Sequence, residues 1–313
     1  MLTRKWATLW SVALILLLAI AVNRRTLRGQ SGAGTPAPET PVIDKLWPDV
    51  NLNVVALDKQ GVPQKVDEQG FQLFEDGSVR PLQFRGSPDS PVSIAFMADS
   101  SGSMYNRRDS IATIVRAIVK TLPEGSEVMF VSFSDQAYVD LPFTPVSKVD
   151  LSFLDHRITR GGTSLYDAVI ATENYFTNRA RYVRRAIVLM SDGGDDASQQ
   201  TLEDAMRSLQ YPGAPSFYSL SVNGEKDSYI DIRHGHAAMQ LLAKAGGGVA
   251  FRPKEKDFMA SAARLAKMIR CQYVLHFKPA DPARDGSAHK LEVRLPIQDV
   301  QIHALPVYYA PSR

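Results

Sequence analysis

One cysteine in 313 residues, Cys271, rules out an intramolecular disulfide. Histidine is scarce as well, six in all, and the one close pair, His234 and His236, lacks the third ligand that a zinc site needs. Two signatures of catalysis are missing. Neither Ser101 nor Ser103 lies in the Gly-x-Ser-x-Gly elbow of hydrolases, and no Gly-x-x-x-x-Gly-Lys loop is present to cradle phosphate. Neither sign of charge dominates: 36 basic residues face 33 acidic ones, for a net charge of +3. The first 28 residues hold five of the basic groups and no acid, which leaves 31 against 33 in the rest. The basic balance therefore belongs to the leader, and the composition gives nucleic-acid binding little support.

What the chain does contain is a series of short, mainly apolar runs. They lie at 92–98, 128–133, 186–190 and 217–222, the right length for strands covered on both faces, as in a parallel sheet. Helical spacing separates them. Ile111, Ile114, Val115, Ile118, Val119 and Leu122 form one apolar stripe, closed by Pro123 and Gly125. Leu165, Ala168, Val169, Thr172, Tyr175 and Phe176 form a second, and Leu202, Ala205, Met206 and Leu209 a third. A fourth helix is expected around 237–245, before Gly246-Gly247-Gly248, and a fifth from about Asp257. Strand and helix in alternation predict an α/β fold with a doubly wound, mainly parallel sheet.

Three short segments sit at the ends of these strands or enter the helices: Asp99-Ser100-Ser101-Gly102-Ser103, Gly161-Gly162-Thr163 and Ser191-Asp192-Gly193. Doubly wound sheets bind ligands beyond the carboxyl ends of their strands, so segments distant in sequence can meet there. Two carboxylates and three hydroxyls, with no His or Cys nearby, suit a hard divalent cation such as Mg²⁺. Taken singly, each segment could equally be a turn or a helix cap.

In this pattern, Asp-x-Ser-x-Ser followed by a distant Thr and a distant Asp, residues 90–270 resemble a von Willebrand factor type A domain. The match falls on Asp99, Ser101, Ser103, Thr163 and Asp192, with no ligand position missing. The resemblance implies a metal-ion-dependent adhesion site holding Mg²⁺ or Mn²⁺, with Ca²⁺ a poorer fit. Asp99 would be the anchor carboxylate, and Ser101 and Ser103 direct hydroxyl ligands. Thr163 would be the ligand most dependent on conformation, and Asp192 would act often through water. The open metal position would take an Asp or Glu carboxylate from a partner protein, with no small-molecule substrate and no catalysis. Phe71–Gly77, Pro282–Gly286 and Tyr308–Pro311 extend the likeness to residues 48–312, toward a group of von Willebrand factor A-related proteins abundant in acidobacteria.

Residues 1–28 read as a signal peptide or signal-anchor: Arg4 and Lys5, an apolar stretch to Val22, then Arg24, Arg25 and Arg28. A tether rich in Gly, Ser, Pro and Thr follows to residue 47. This layout predicts a membrane-anchored body in the cell envelope, or a secreted one if the leader is cleaved. Segments 48–88 and 271–313 read as strands, with alternation over 50–57 and a hairpin from Phe71 to Phe84 around Asp76-Gly77. Neither has enough strands to stand alone, so they are expected to pair into a small β domain around the metal-binding domain at 89–270. Asp195 and Asp196 read as a turn and helix cap rather than a second cation site. Arg179, Arg181, Arg184 and Arg185 read as a solvated basic run, and Cys271 as a buried thiol. The competing function is an accessory subunit that couples to a partner ATPase, which would need a cytoplasmic body. A hydrolase using Ser101 is a third.

Overall fold

The computed structural model describes residues 50–156, 158–223, 229–280 and 285–312. The leader and tether lie outside the described residues. Upstream come β1 (Val50–Asp58), β2 (Pro63–Gln64), β3 (Gln72–Glu75), β4 (Ser78–Arg80) and β5 (Leu82–Gly86). The middle runs through β6 (Ser93–Asp99), α1 (Arg108–Val119), β7 (Glu127–Phe133), β8 (Ala137–Pro145), α2 (Leu165–Arg179) and β9 (Arg185–Ser191). It continues with α3 (Leu202–Ser208), β10 (Ser216–Ser221), α4 (Tyr229–Ala245), β11 (Ala250–Phe251) and α5 (Phe258–Arg270). Downstream lie β12 (Tyr273–Phe277), β13 (Ala288–Arg294), β14 (Val300–Ala304) and β15 (Val307–Tyr309).

The central sheet has the order β11-β10-β9-β6-β7-β8, parallel except for the β7–β8 pair. Its continuous apolar strands divide by their period of two. Ile94, Phe96, Val128, Phe130 and Val188 face one core with α1 and α5, whose Ile111, Ile114, Leu265 and Ile269 are fully buried. Ala95, Met97, Met129, Val131 and Leu189 face the other, with α2, α3 and α4. Each buried aliphatic side chain contributes about 1.5–3 kcal/mol. From β6 the chain moves to one side of the sheet through β7, and it returns on the other side at β9. The carboxyl ends of β6 and β9 therefore flank the point where the winding reverses, where such sheets bind ligands.

The flanks pair with each other. β1 runs antiparallel to β12 and β14, and β12 to β5; a second sheet has the order β15-β13-β3-β4. Val50, Leu52, Phe71, Leu73, Leu275, Phe277 and Tyr308 form the core between these two sheets. The α/β fold with flanking β elements is thus as expected, but three details are corrected. The hairpin at Asp76-Gly77 ends at Arg80, because Pro81 offers no N–H to the ladder and residues 82–86 cross to the other sheet. Positive φ at Asp76 and Gly77, 49° and 82°, gives that hairpin its tight turn. Second, β1 is buried on both faces, since Val55 and Leu57 pack into the α1–α5 core. Its Asn53 is buried because Nδ2 donates to Ala214 O at 3.1 Å and Oδ1 accepts from Arg185 N at 3.3 Å. Third, α4 begins at Tyr229, a full two turns before the expected start.

The basic run also changes character. Arg184 is 1% exposed, and its guanidinium donates to Ser90 O, to Ile269 O at 2.5 Å and to Arg270 O at 3.0 Å. It satisfies the last carbonyls of α5, where the helix dipole favours a cation. Burial lowers its pKa to about 10, which still leaves it charged at neutral pH. The thiol of Cys271 is buried directly after α5, as expected.

Candidate metal centre

Asp99 ends β6 and is fully buried. Its Oδ1 accepts the Ser101 N–H at 2.9 Å and its Oδ2 the Ser191 hydroxyl at 2.6 Å. Ser191 ends β9, and its Oγ in turn accepts the Gly193 N–H at 2.8 Å. One buried carboxylate therefore ties the ends of the two central strands together. Ser101 Oγ lies 3.1 Å from Ser103 Oγ, and Ser103 Oγ donates to Asp192 Oδ2 at 2.7 Å. Asp99, Ser101, Ser103 and Asp192 thus form one connected chain of oxygens.

Thr163 lies on the adjoining loop, 7% exposed. Backbone bonds join its segment to the other two: Arg160 N to Ser100 O at 2.9 Å, Gly102 N to Gly161 O at 3.3 Å, and Asp196 N to Thr163 O at 3.0 Å. The three segments meet.

The donor set fits a hard cation. Oxygens at 2.0–2.1 Å from Mg²⁺ in octahedral geometry stand about 3 Å apart along each edge. The Ser101–Ser103 separation of 3.1 Å matches such an edge. Among the described residues no cluster of three His, Cys, Asp or Glu side chains could hold a metal, so any ion here depends on hydroxyls. Burial pushes the Asp99 carboxyl up to about 6, opposed by hydrogen bonds from Ser101 and Ser191 and reinforced by the charge of Asp192. A cation would relieve that cost.

The loop after Asp192 holds Asp195 and Asp196, read from sequence as a turn and helix cap, and Ser198, which sequence does not mark. Asp196 Oδ1 accepts the Thr163 N–H at 2.6 Å. Asp195 Oδ1 accepts from the Ser198 hydroxyl at 2.6 Å and Tyr166 N at 3.3 Å, while Ser198 Oγ accepts Tyr166 N and Asp167 N at 3.1 and 3.2 Å. Asp167 returns two bonds, to Gln199 N and Gln200 N. Ser164, at the N-cap of α2, makes no capping bond; its hydroxyl donates to Ser134 O instead. The orphan N–H groups of α2 are therefore capped by a loop about 30 residues away. Asp195 and Asp196 act as loop and helix braces, and the one hint in sequence was their acidity near a helix start. Asp135 Oδ1 braces the Gly162 N–H at 2.8 Å.

Gly193, with φ +88°, passes so close to α4 that a Cβ there would stand 2.4 Å from Gly235 O. His236 Nδ1 is 3.4 Å from Ser221 Oγ, and its pKa is lowered by burial and by Arg252. His234 is exposed.

A family profile, the von Willebrand factor type A domain, matches residues 94–194. That span holds all three oxygen-bearing segments. The chain contains a von Willebrand factor type A domain. No curated protein matches the chain. Among solved structures, an aerotolerance-related membrane protein from Bacteroides fragilis is 20% identical, covering 57% of this chain and 98% of that one, with a TM-score of 0.41. The von Willebrand factor type A protein from Catenulispora acidiphila is 11% identical over 83% of this chain and 73% of that one, TM-score 0.48. Proximal thread matrix protein 1 from the mussel byssus, with zinc in its MIDAS motif, is 15% identical over 63% and 50%, TM-score 0.48. None of these matches reaches the narrower acidobacterial group. Domains of this type are generally interaction modules without catalysis.

Proposed function

We propose that this von Willebrand factor type A domain recognises a partner protein through a divalent cation, Mg²⁺ or Mn²⁺, held by Asp99, Ser101, Ser103, Thr163 and Asp192. The observation that carries the reading is the connected oxygen chain at the carboxyl ends of β6 and β9, with its 3.1 Å hydroxyl edge. Three of the five donors are neutral hydroxyls, so the site offers two negative charges at most. A cation bound there supplies Lewis-acid attraction for one more carboxylate, which an Asp or Glu of a partner would bring. The protein's own part is rigidity. Ser191, Asp135 and Asp196 hold the three loops, so little order is lost on binding.

Magnesium titration calorimetry on the purified chain, beside Asp99→Ala, tests this. Saturable binding that the substitution abolishes supports the site. Absence of binding even with excess acetate present would remove the metal from the proposal. The body is placed outside the cytoplasm on the composition of residues 1–28 alone, and protease accessibility on spheroplasts checks that placement.

One side-chain set has the order of a hydrolase triad: Ser287 Oγ lies 3.0 Å from His289 Nε2, and His289 Nδ1 lies 2.9 Å from Asp76 Oδ2. Its surroundings favour sheet structure. The Ser287 N–H, which an oxyanion would need, is taken by Asp285 Oδ1 at 2.8 Å. Asp76 is bound to β13 through Lys290 N at 2.8 Å, and the His289 ring stacks on Tyr308 with centroids 5.0 Å apart.

A further inference from the structure

Along the last turns of α5, Ala263, Ala266, Lys267 and Arg270 share one face, and Cys271 continues it. With Lys65, Asp89 and Thr121 they line a cleft of about 280 Å³, room for roughly nine waters at about 30 Å³ each. The two alanines make the space, since a longer side chain at either position would fill it. Thr121 lies just beyond the carboxyl end of α1. The cleft is therefore a helix length, about 18 Å, from the end of α1 that the Ser103 segment leads into. It is separate from the candidate metal centre.

Its charges do not cancel. Lys65, Lys267 and Arg270 stand against one carboxylate, Asp89, an excess of two positive charges. Both Asp89 oxygens are engaged: Oδ1 by Arg270 Nε at 2.9 Å and Nη2 at 2.7 Å, Oδ2 by Lys65 Nζ at 2.5 Å. The Asp89 N–H donates to Arg270 O at 2.9 Å, which fixes this residue to the end of α5. Among the described residues Lys267 has no carboxylate partner. The carboxyl ends of α1 and α5 bring about half a negative charge each. The buried Arg184 offsets them, with its guanidinium on Ile269 O and Arg270 O. The Thr121 hydroxyl is engaged with Ile118 O at 2.8 Å. What remains open is ammonium charge beside the apolar surface of Ala263, Ala266 and Cys271.

We infer that this cleft binds a small organic acid, a carboxylate or phosphate head on a short apolar body. The excess charge selects the head. A cationic ligand would be repelled, and a neutral one would leave Lys267 uncompensated, whereas lysine ammonium groups partner carboxylate and phosphate as point charges. The alanines and Cys271 select the body, and the volume limits its length. Cys271 is 4% exposed yet lines the cleft, so its thiol can report on what enters. The inference does not depend on the metal-dependent reading.

The test uses the full chain. Cys271 is its only cysteine, so alkylation followed by intact mass reads this cleft alone. Iodoacetate and iodoacetamide differ in charge more than in size, and the urea-unfolded chain gives their rate ratio on the same thiol without the cleft. Folding should raise the ratio of iodoacetate to iodoacetamide rates about tenfold, the concentrating effect of a cleft of one sign of charge. Lys267→Met, at an exposed position, should cut that preference to less than about threefold. Butanoate and n-butyl phosphate should slow alkylation of the folded chain by iodoacetamide, and butylamine should not. A ratio unchanged by folding or by Lys267→Met would overturn the inference, as would protection by butylamine. A folded chain that neither reagent alkylates would show the cleft closed to ligands and overturn it too. Inorganic phosphate protecting as well as butyl phosphate would overturn the apolar body. EDTA should alter none of these rates, so this inference and the metal reading fail separately.

Discussion

Glu173 is a buried carboxylate outside the candidate metal centre, and it makes stability fall as pH rises. It lies on α2, 5% exposed, accepting the Thr177 hydroxyl at 2.6 Å, with Tyr211 bound to the same Thr177 oxygen. Burial raises its pKa from 4.5 to about 7, against the hydrogen bonds from Thr177 and Tyr211 and the nearby charge of Arg185. Between those two values the folded state holds a proton that the unfolded state has lost. Stability therefore falls with rising pH across this window, by about 1.36 kcal/mol for each pH step of one. The full loss is about 3 kcal/mol, complete above pH 7 and absent below pH 4.5. Glu173→Gln keeps the shape and cannot ionise. In the difference between wild type and variant, other groups such as Asp99, whose pKa is raised to about 6 and acts with the same sign, cancel. Urea unfolding from about pH 4.5 to about pH 8.5 should show the variant gaining on wild type by about 3 kcal/mol as pH rises. Thermal midpoints should separate by about 6–10 °C at the alkaline end. A difference that stays flat across this range would refute the burial cost assigned to Glu173.

Two other substitutions follow from buried contacts. Arg184→Met leaves the carbonyls of Ser90, Ile269 and Arg270 without their donor and should cost about 3 kcal/mol by urea unfolding. Arg184→Lys should recover only part of this, since an ammonium cannot reproduce the guanidinium fork. Gly193→Ala combines a positive φ with a Cβ 2.4 Å from Gly235 O, and should destabilise by more than about 2 kcal/mol and lose Mg²⁺ binding in calorimetry. Its control is Gly194→Ala, whose Cβ meets only Asp192 Oδ1 at 3.5 Å and which should change stability by less than about 1 kcal/mol.

Local pattern made the central fold and the oxygen-bearing residues legible, because both are encoded locally. The strand at 93–99 is apolar from Ile94 to Ala98 because helices cover both of its faces, and the buried Asp99 closes it. Where sequence failed, the cause was distant. β8 carries Pro142 and Pro145 and is half-exposed at the antiparallel edge, so neither period nor composition marks it as a strand. Gly235 blurs the start of α4, yet it is there for a reason outside the helix: any Cβ would meet Asp192 O at 2.4 Å. Arg184 sits in a run of surface-like arginines, and only the end of α5, folded back from 85 residues away, makes it a buried cap.

The same distinction separates the site's donors from its supports. Asp99, Ser101, Ser103, Thr163 and Asp192 are recognisable because each lies at a strand end or a loop entering a helix in a fixed pattern. Ser191, Asp135 and Ser198 are not, because they serve elements far from their own position in the chain; Asp195 and Asp196 are legible as cap residues, but not which helix they cap. Ser191 joins β9 to Asp99 across 92 residues, and Ser198 caps α2 across 32. Donors alone would leave three flexible loops to be ordered by the ion and partner together, at a cost of about 1–2 kcal/mol per residue fixed. If the proposed site binds an ion, the supports would lower that cost by holding the loops beforehand. A substitution among them should weaken metal binding without deleting a single donor, and would mark the site as one built from its surroundings as much as from its ligands.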